Sequence, residues 1–178
     1  MRRHAPRILT ALLVGVLLLS GWKTARAAAT WARAPRAGER TGLATPRNAP
    51  VRAPPGSALA QVARAERAIV FIYLPDCQVC HANMANWTDL VAELRGTGTE
   101  LYAVAPAQTP SANAYFGGLR RHVRVITATP AEVHAAFGGG STPATLLVRD
   151  GSIRGEIVGS TTPAALRQVR AFALDGTL

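Results

Sequence analysis

The sequence predicts an α/β domain: a central mixed sheet flanked by helices, with a C-terminal antiparallel hairpin. Three observations predict it. Short apolar runs at 68–74, 100–105 and 144–149 have the length of buried strands, and segments with apolar steps of three and four separate them. Asp150-Gly151, the tight-turn dipeptide of a hairpin, stands between 144–149 and a returning run at 153–158. The first run, Ile69-Val70-Phe71-Ile72-Tyr73-Leu74, stops at Pro75 and is followed at once by Cys77-Gln78-Val79-Cys80 and a helical pattern. Strands joined by helices pair in parallel, whereas the hairpin forms an antiparallel edge.

At 178 residues the chain suits one domain with appendages, and a hydrophobic content of 48% is ample for a core. The net charge of +10 suggests a polyanion partner until it is located. Residues 1–56 carry ten basic side chains against the single acid Glu39, whereas residues 57–178 carry ten arginines against nine acids. The excess belongs to the N-terminal segment and not to the folded part, so no nucleic-acid partner is expected.

Taken in order, Arg2, Arg3 and Arg7 precede an uncharged apolar run of 15 residues from Ile8 to Trp22, the layout of an export signal. Ala25-Arg26-Ala27 offers a small-x-small cleavage site. Residues 1–27 are therefore a signal peptide or a retained N-terminal membrane anchor, and the domain is expected outside the cytoplasm, in the periplasm or on the outer face of the membrane. Residues 28–56 are rich in Ala, Arg and Pro and read as a basic, disordered tether, which places the folded domain at 57–178.

Ser57 is expected to cap a short helix carrying Leu59, Val62 and Ala63. The helix after the cysteines presents Val79, Asn83, Trp87, Leu90, Val91 and Leu94, and ends near Gly96. Beyond the strand at 100–105, Ser111 caps a short helix with Tyr115, Phe116 and Leu119, and 123–126 is a brief strand. Thr129-Pro130-Ala131-Glu132 is a capping box with proline at the first helical position, backed by Val133, Ala136 and Phe137. Thr162-Pro163 starts the last helix, with Leu166, Val169, Phe172 and Ala173 inward.

The chemistry sits in Cys77 and Cys80, the only two cysteines. A cysteine at a helix start meets unpaired N–H groups and the positive end of the helix dipole, which favour its thiolate. Three positions of helix then bring the second sulfur within reach of the first. The same residues support two other readings. His81 completes Cys-x-x-Cys-His, the attachment motif of c-type haem. Two cysteines in an exported protein also suffice for a structural disulfide. Context weighs against haem: the chain has several strand-like runs, and beyond the motif the domain offers only Met84, His122 and His134 as distal ligands, Met84 being too near His81. His122 and His134 have no second ligand at metal spacing, so no metal is assigned.

The strand–Cys77-Gln78-Val79-Cys80–helix motif, followed about sixty residues later by Thr142-Pro143 ahead of the hairpin, resembles the thioredoxin superfamily over roughly residues 57–175. The leader, tether and inserted piece at 110–127 are most similar to its exported TlpA-like thiol–disulfide oxidoreductases. The resemblance implies a thioredoxin-like fold and a Cys77/Cys80 dithiol that reduces protein disulfides; the alternative on the same fold is a non-catalytic binding module. It also implies a cis proline at Pro143 and a Thr142 backbone that binds substrate peptide. No cofactor is implied; partners would be protein thiols and disulfides and an electron donor in the membrane. The sequence departs from the pattern at Asp76, where many members have tryptophan, and at Phe71, where cytoplasmic thioredoxins bury an aspartate. Asn83 replaces an acid frequent in the TlpA-like helix, so Cys80 is assigned no proton acceptor. Asp76 is expected to raise the Cys77 pKa and a protonated His81 to lower that of either cysteine.

Overall fold

The computed structural model describes residues 44–105 and 121–178. The leader, the tether up to residue 43 and the segment 106–120, including the helix expected behind Ser111, lie outside the described residues.

Six strands form one mixed sheet: β1 (Thr45–Pro50), β2 (Arg67–Ile72), β3 (Glu100–Ala105), β4 (Arg124–Thr127), β5 (Ala144–Arg149) and β6 (Ser152–Val158), in the order β1-β6-β5-β2-β3-β4. Strands β2, β3 and β4 run parallel; β5 runs antiparallel to β2, and β6 antiparallel to β5. Among the described residues four helices accompany them: α1 (Ala60–Arg64), α2 (Gln78–Glu93), α3 (Pro130–Phe137) and α4 (Pro163–Asp175). The thioredoxin-like α/β architecture expected from the sequence is the one observed.

Alternation along the central strands builds two cores. Ile69 and Phe71 of β2 join Trp87, Leu90 and Val91 of α2 and Val169 and Phe172 of α4 on one face. Ala68, Val70 and Ile72 join Val62 of α1 and Val133 and Phe137 of α3 on the other. Covered on both faces, β2 reads as a continuous apolar run and not as an alternating one. Phe71 and Trp87 pack ring to ring at 5.1 Å, at the centre of the first core.

Local signals set the helix ends. Thr129 and Glu132 complete the capping box, and the Thr162 hydroxyl accepts from Ala165 N–H at the start of α4. Asp150 (φ 49°) and Gly151 (φ 67°) both take left-handed backbone in the β5–β6 turn, as a type I′ hairpin requires. Gly151 is doubly constrained, since a Cβ there would lie 2.6 Å from the carbonyl oxygen of Ala63.

Four expectations are corrected. The tether does not run to residue 56: Thr45–Pro50 forms β1, paired antiparallel with β6. Arg47 bridges to Glu156 at 2.9 Å, and Ala44 N–H donates to Gln168 Oε1 at 2.6 Å. Proline-rich composition suppressed the strand signal, yet an edge strand tolerates Pro46 and Pro50 where their missing N–H groups are not needed. The hairpin is consequently not an edge, because β5 lies beside β2 and β1 covers β6. Ser57 does not cap α1; its hydroxyl donates to Pro54 O at 2.7 Å, and Leu59 occupies the N-cap with no side-chain bond. In α2 the inward face begins with Cys80, fully buried, whereas Val79 is only half-buried.

Candidate active site

Strand β2 delivers the chain to the edge of the first core, where Leu74 and Pro75 turn it into α2. Cys77 is the N-cap residue of that helix, with extended backbone (φ −89°, ψ 111°). Its N–H donates to Leu74 O at 3.2 Å, and its carbonyl accepts from His81 N–H at 3.1 Å. Its Sγ accepts from the backbone N–H of Cys80 at 3.1 Å. This sulfur therefore sits where a helix presents unpaired donors, an arrangement that favours negative charge on it.

Cys77 and Cys80 lie at disulfide distance from one another, with Cα atoms 5.2 Å apart. They differ in access: Cys80 is fully buried among the first-core residues, and Cys77 packs against that cluster only in part. Asp76 and His81 flank the pair, both exposed. His81 Nε2 lies 2.6 Å from the carbonyl oxygen of Pro75.

Thr142 and Pro143 reach the same end of the sheet from the neighbouring strand. Ile72, at the end of β2, is paired with Ala144, at the start of β5, so the cysteine turn and the Thr142–Pro143 turn leave adjacent strands side by side. The Thr142–Pro143 peptide bond is cis. Pro143 is buried and its carbonyl accepts from Gly159 N–H at 2.8 Å. Among the described residues, no hydrogen bond takes up the N–H or C=O of half-buried Thr142.

One part of the site was missed in the sequence. Asn83, 1% exposed, donates from Nδ2 to Gly159 O at 3.0 Å and accepts at Oδ1 from Thr161 N–H at 2.8 Å. Asn86 Nδ2 donates to Thr161 O at 3.0 Å. The available signal was an amide on an otherwise apolar helix stripe; its partners, more than seventy residues away, had none. Among the described residues no Asp, Glu, His, Lys or Arg side chain is buried, so Cys80 has no buried acid or imidazole near it. No group of three His, Cys, Asp or Glu side chains among the described residues is placed to hold a metal ion.

No protein-family model matches the sequence, and no curated protein is detectably similar to it. Solved structures do match. A thioredoxin-family thiol:disulfide interchange protein from Chlorobium tepidum aligns with a TM-score of 0.55 at 20% identity, over 73% of this chain and 99% of that one. A secreted disulfide oxidoreductase of Mycobacterium tuberculosis aligns at 0.52 and 15%, over 77% and 99%. The thioredoxin domain of a thiol–disulfide oxidoreductase from Bacteroides vulgatus aligns at 0.53 and 12%, over 64% and 83%. At these identities the likeness is one of fold. The chain has the thioredoxin-like fold of thiol–disulfide oxidoreductases, with a Cys77–Cys80 pair at the head of α2.

Proposed function

We propose that the protein is an exported thiol–disulfide oxidoreductase that reduces disulfides in other proteins. The observation that carries this reading is the asymmetry of the cysteine pair: Cys77 caps a helix at the edge of the core, and Cys80 is fully enclosed one turn further in. In the reduced enzyme the Cys77 thiolate attacks one sulfur of a substrate disulfide, forming a mixed disulfide and expelling the other substrate sulfur as a thiolate. Cys80, once deprotonated, attacks the Cys77 sulfur. The second substrate thiolate leaves, both substrate sulfurs end reduced, and the Cys77–Cys80 disulfide holds the two electrons' worth of oxidation. The chemistry runs on two sulfurs without a cofactor. Thr142, with its backbone N–H and C=O unclaimed among the described residues, docks the substrate chain beside them. Asp76 and His81 stand closest in sequence to tune the pair.

Export is supported by the leader at 8–22 and by the likeness to an oxidoreductase described as secreted. Released after Ala27 or anchored by the leader, the domain works outside the cytoplasm and is re-reduced by a dithiol donor in the membrane. Among the described residues no helix is long and apolar enough to cross a membrane, so anchoring falls to the leader. The deciding measurement is the reduction potential of the Cys77–Cys80 couple together with turnover of insulin disulfides. A potential near −270 mV, as in thioredoxin, with turnover supports a reductase; one near −120 mV assigns an oxidase instead. Insulin turnover that persists after both cysteines are replaced would end the reading.

A further inference from the structure

We propose that Asn83 is a positioning residue that sets the cysteine helix against the Thr142–Pro143 turn, and so governs exchange with peptide disulfides more than with small ones. The inference rests on the reading of Cys77 as nucleophile and the Thr142 backbone as peptide dock.

Asn83 lies one helical turn beyond Cys80 on the inward face of α2. Its amide is spent at both ends on the strip of chain that follows β6, donating to Gly159 O and accepting from Thr161 N–H. Gly159 is the joint. Its carbonyl is held by the cysteine helix and its N–H is held by Pro143 O at 2.8 Å. Two hydrogen bonds through one residue therefore connect the helix that carries the thiols to the turn that carries the docking groups, two segments about sixty positions apart in sequence, and the Thr161 bond fixes the second end of the amide. A shift of α2 relative to Gly159 alters the gap between Cys77 and Thr142.

The chemistry at this position requires a neutral amide. An apolar side chain leaves the buried Thr161 N–H and the half-buried Gly159 carbonyl without these partners, which destabilises the placement. An ionised carboxylate still accepts from Thr161 N–H but faces the Gly159 oxygen with no donor. Glutamine is one methylene longer and displaces the helix. Asn86, bonded to Thr161 O, braces the same strip from the next turn.

Positioning matters most for a ligand bound at two places. A peptide disulfide must meet Thr142 and Cys77 together, whereas hydroxyethyl disulfide needs only Cys77. Single-turnover oxidation of the reduced full chain by insulin and by hydroxyethyl disulfide separates the two. In Asn83→Ala the rate with insulin is expected to fall about tenfold or more, and with hydroxyethyl disulfide by no more than about twofold. Asn83→Asp adds a readout that a purely structural role would not move. As pH falls, the introduced carboxyl protonates and regains a donor for Gly159 O, so its insulin-to-small-disulfide rate ratio should climb toward the wild-type value. Wild type and Asn83→Ala should show no such step. Parallel loss on both disulfides, an unchanged ratio in Asn83→Ala, or a pH-independent ratio in Asn83→Asp overturns the inference alone, with the oxidoreductase reading intact. Should Asn83→Ala not fold, the pH response of Asn83→Asp decides by itself. A wild-type protein that reacts with neither disulfide ends the functional reading and this inference with it.

Discussion

His81 Nε2 and the carbonyl oxygen of Pro75 lie 2.6 Å apart, so the first turn of α2 is tied back to the loop that leads into it. A carbonyl oxygen only accepts, which makes Nε2 the donor in this contact. An iron atom bound at Nε2 would have to displace that bond, and two thioether links to haem would have to open the Cys77–Cys80 pair. Protein exported together with haem-attachment machinery is therefore expected to carry no covalent haem and to show no Soret band. A Soret band abolished by His81→Ala would overturn the redox reading.

The burial of Cys80 beside the partly exposed Cys77 predicts unequal trapping. Cys80→Ser leaves the attacking thiol and should accumulate mixed disulfides with other proteins, seen as reducible high-mass bands. Cys77→Ser leaves a fully enclosed sulfur and should trap little. Equal trapping by both would erase the division of roles, and a purely structural disulfide would trap no partner with either.

Phe71 and Trp87 fasten α2 to β2 directly beneath the cysteine turn. Phe71→Ala should cost about 3–5 kcal/mol of stability, the range for removing a buried aromatic ring. Chemical denaturation of the oxidised protein measures it. A cost under about 1 kcal/mol would show that the first core does not depend on this pair.

Tyr102 is buried on β3, and its phenol pKa is pushed up to about 12, by desolvation first and then by its hydrogen bond to Glu100. The folded state thus holds the proton more tightly than the unfolded state, whose phenol titrates near 10.0. The stability that Tyr102 contributes is complete below pH 10 and is lost as the pH rises toward 12. Denaturation curves across this interval should fall more steeply for wild type than for Tyr102→Phe. Parallel curves would refute the assignment.

Strand β1 covers the outer edge of β6 with a short ladder and the Arg47–Glu156 pair. A chain beginning at Val51 should melt several degrees lower than one beginning at Ala44, since each kcal/mol moves a domain of this size by about 4 °C. It should also self-associate, because β6 then presents an open edge. Equal melting temperatures and a monomeric shorter chain would show that β1 adds nothing.

Much of the fold was legible because its signals are local. The apolar run at Ile69–Leu74, the capping box at Thr129–Glu132 and the Asp150-Gly151 turn each depend on neighbours within a few residues; the box and the turn form as the sequence predicts, and the run forms a strand that ends at Ile72, two residues early. The Cys77–Cys80 spacing is local in the same way: a single helical turn determines both the meeting of the sulfurs and the N-cap position of Cys77. What tertiary structure decided was long-range pairing that leaves no periodic mark. Pro46 and Pro50 hid β1, because the composition of an edge strand is judged by its partner and not by its own propensity. Asn83 looked like a polar residue out of place until Gly159 and Thr161, brought from the far end of β6, met both ends of its amide. A buried amide is stable only with its donors and acceptors matched, and those partners exist only once the chain has folded.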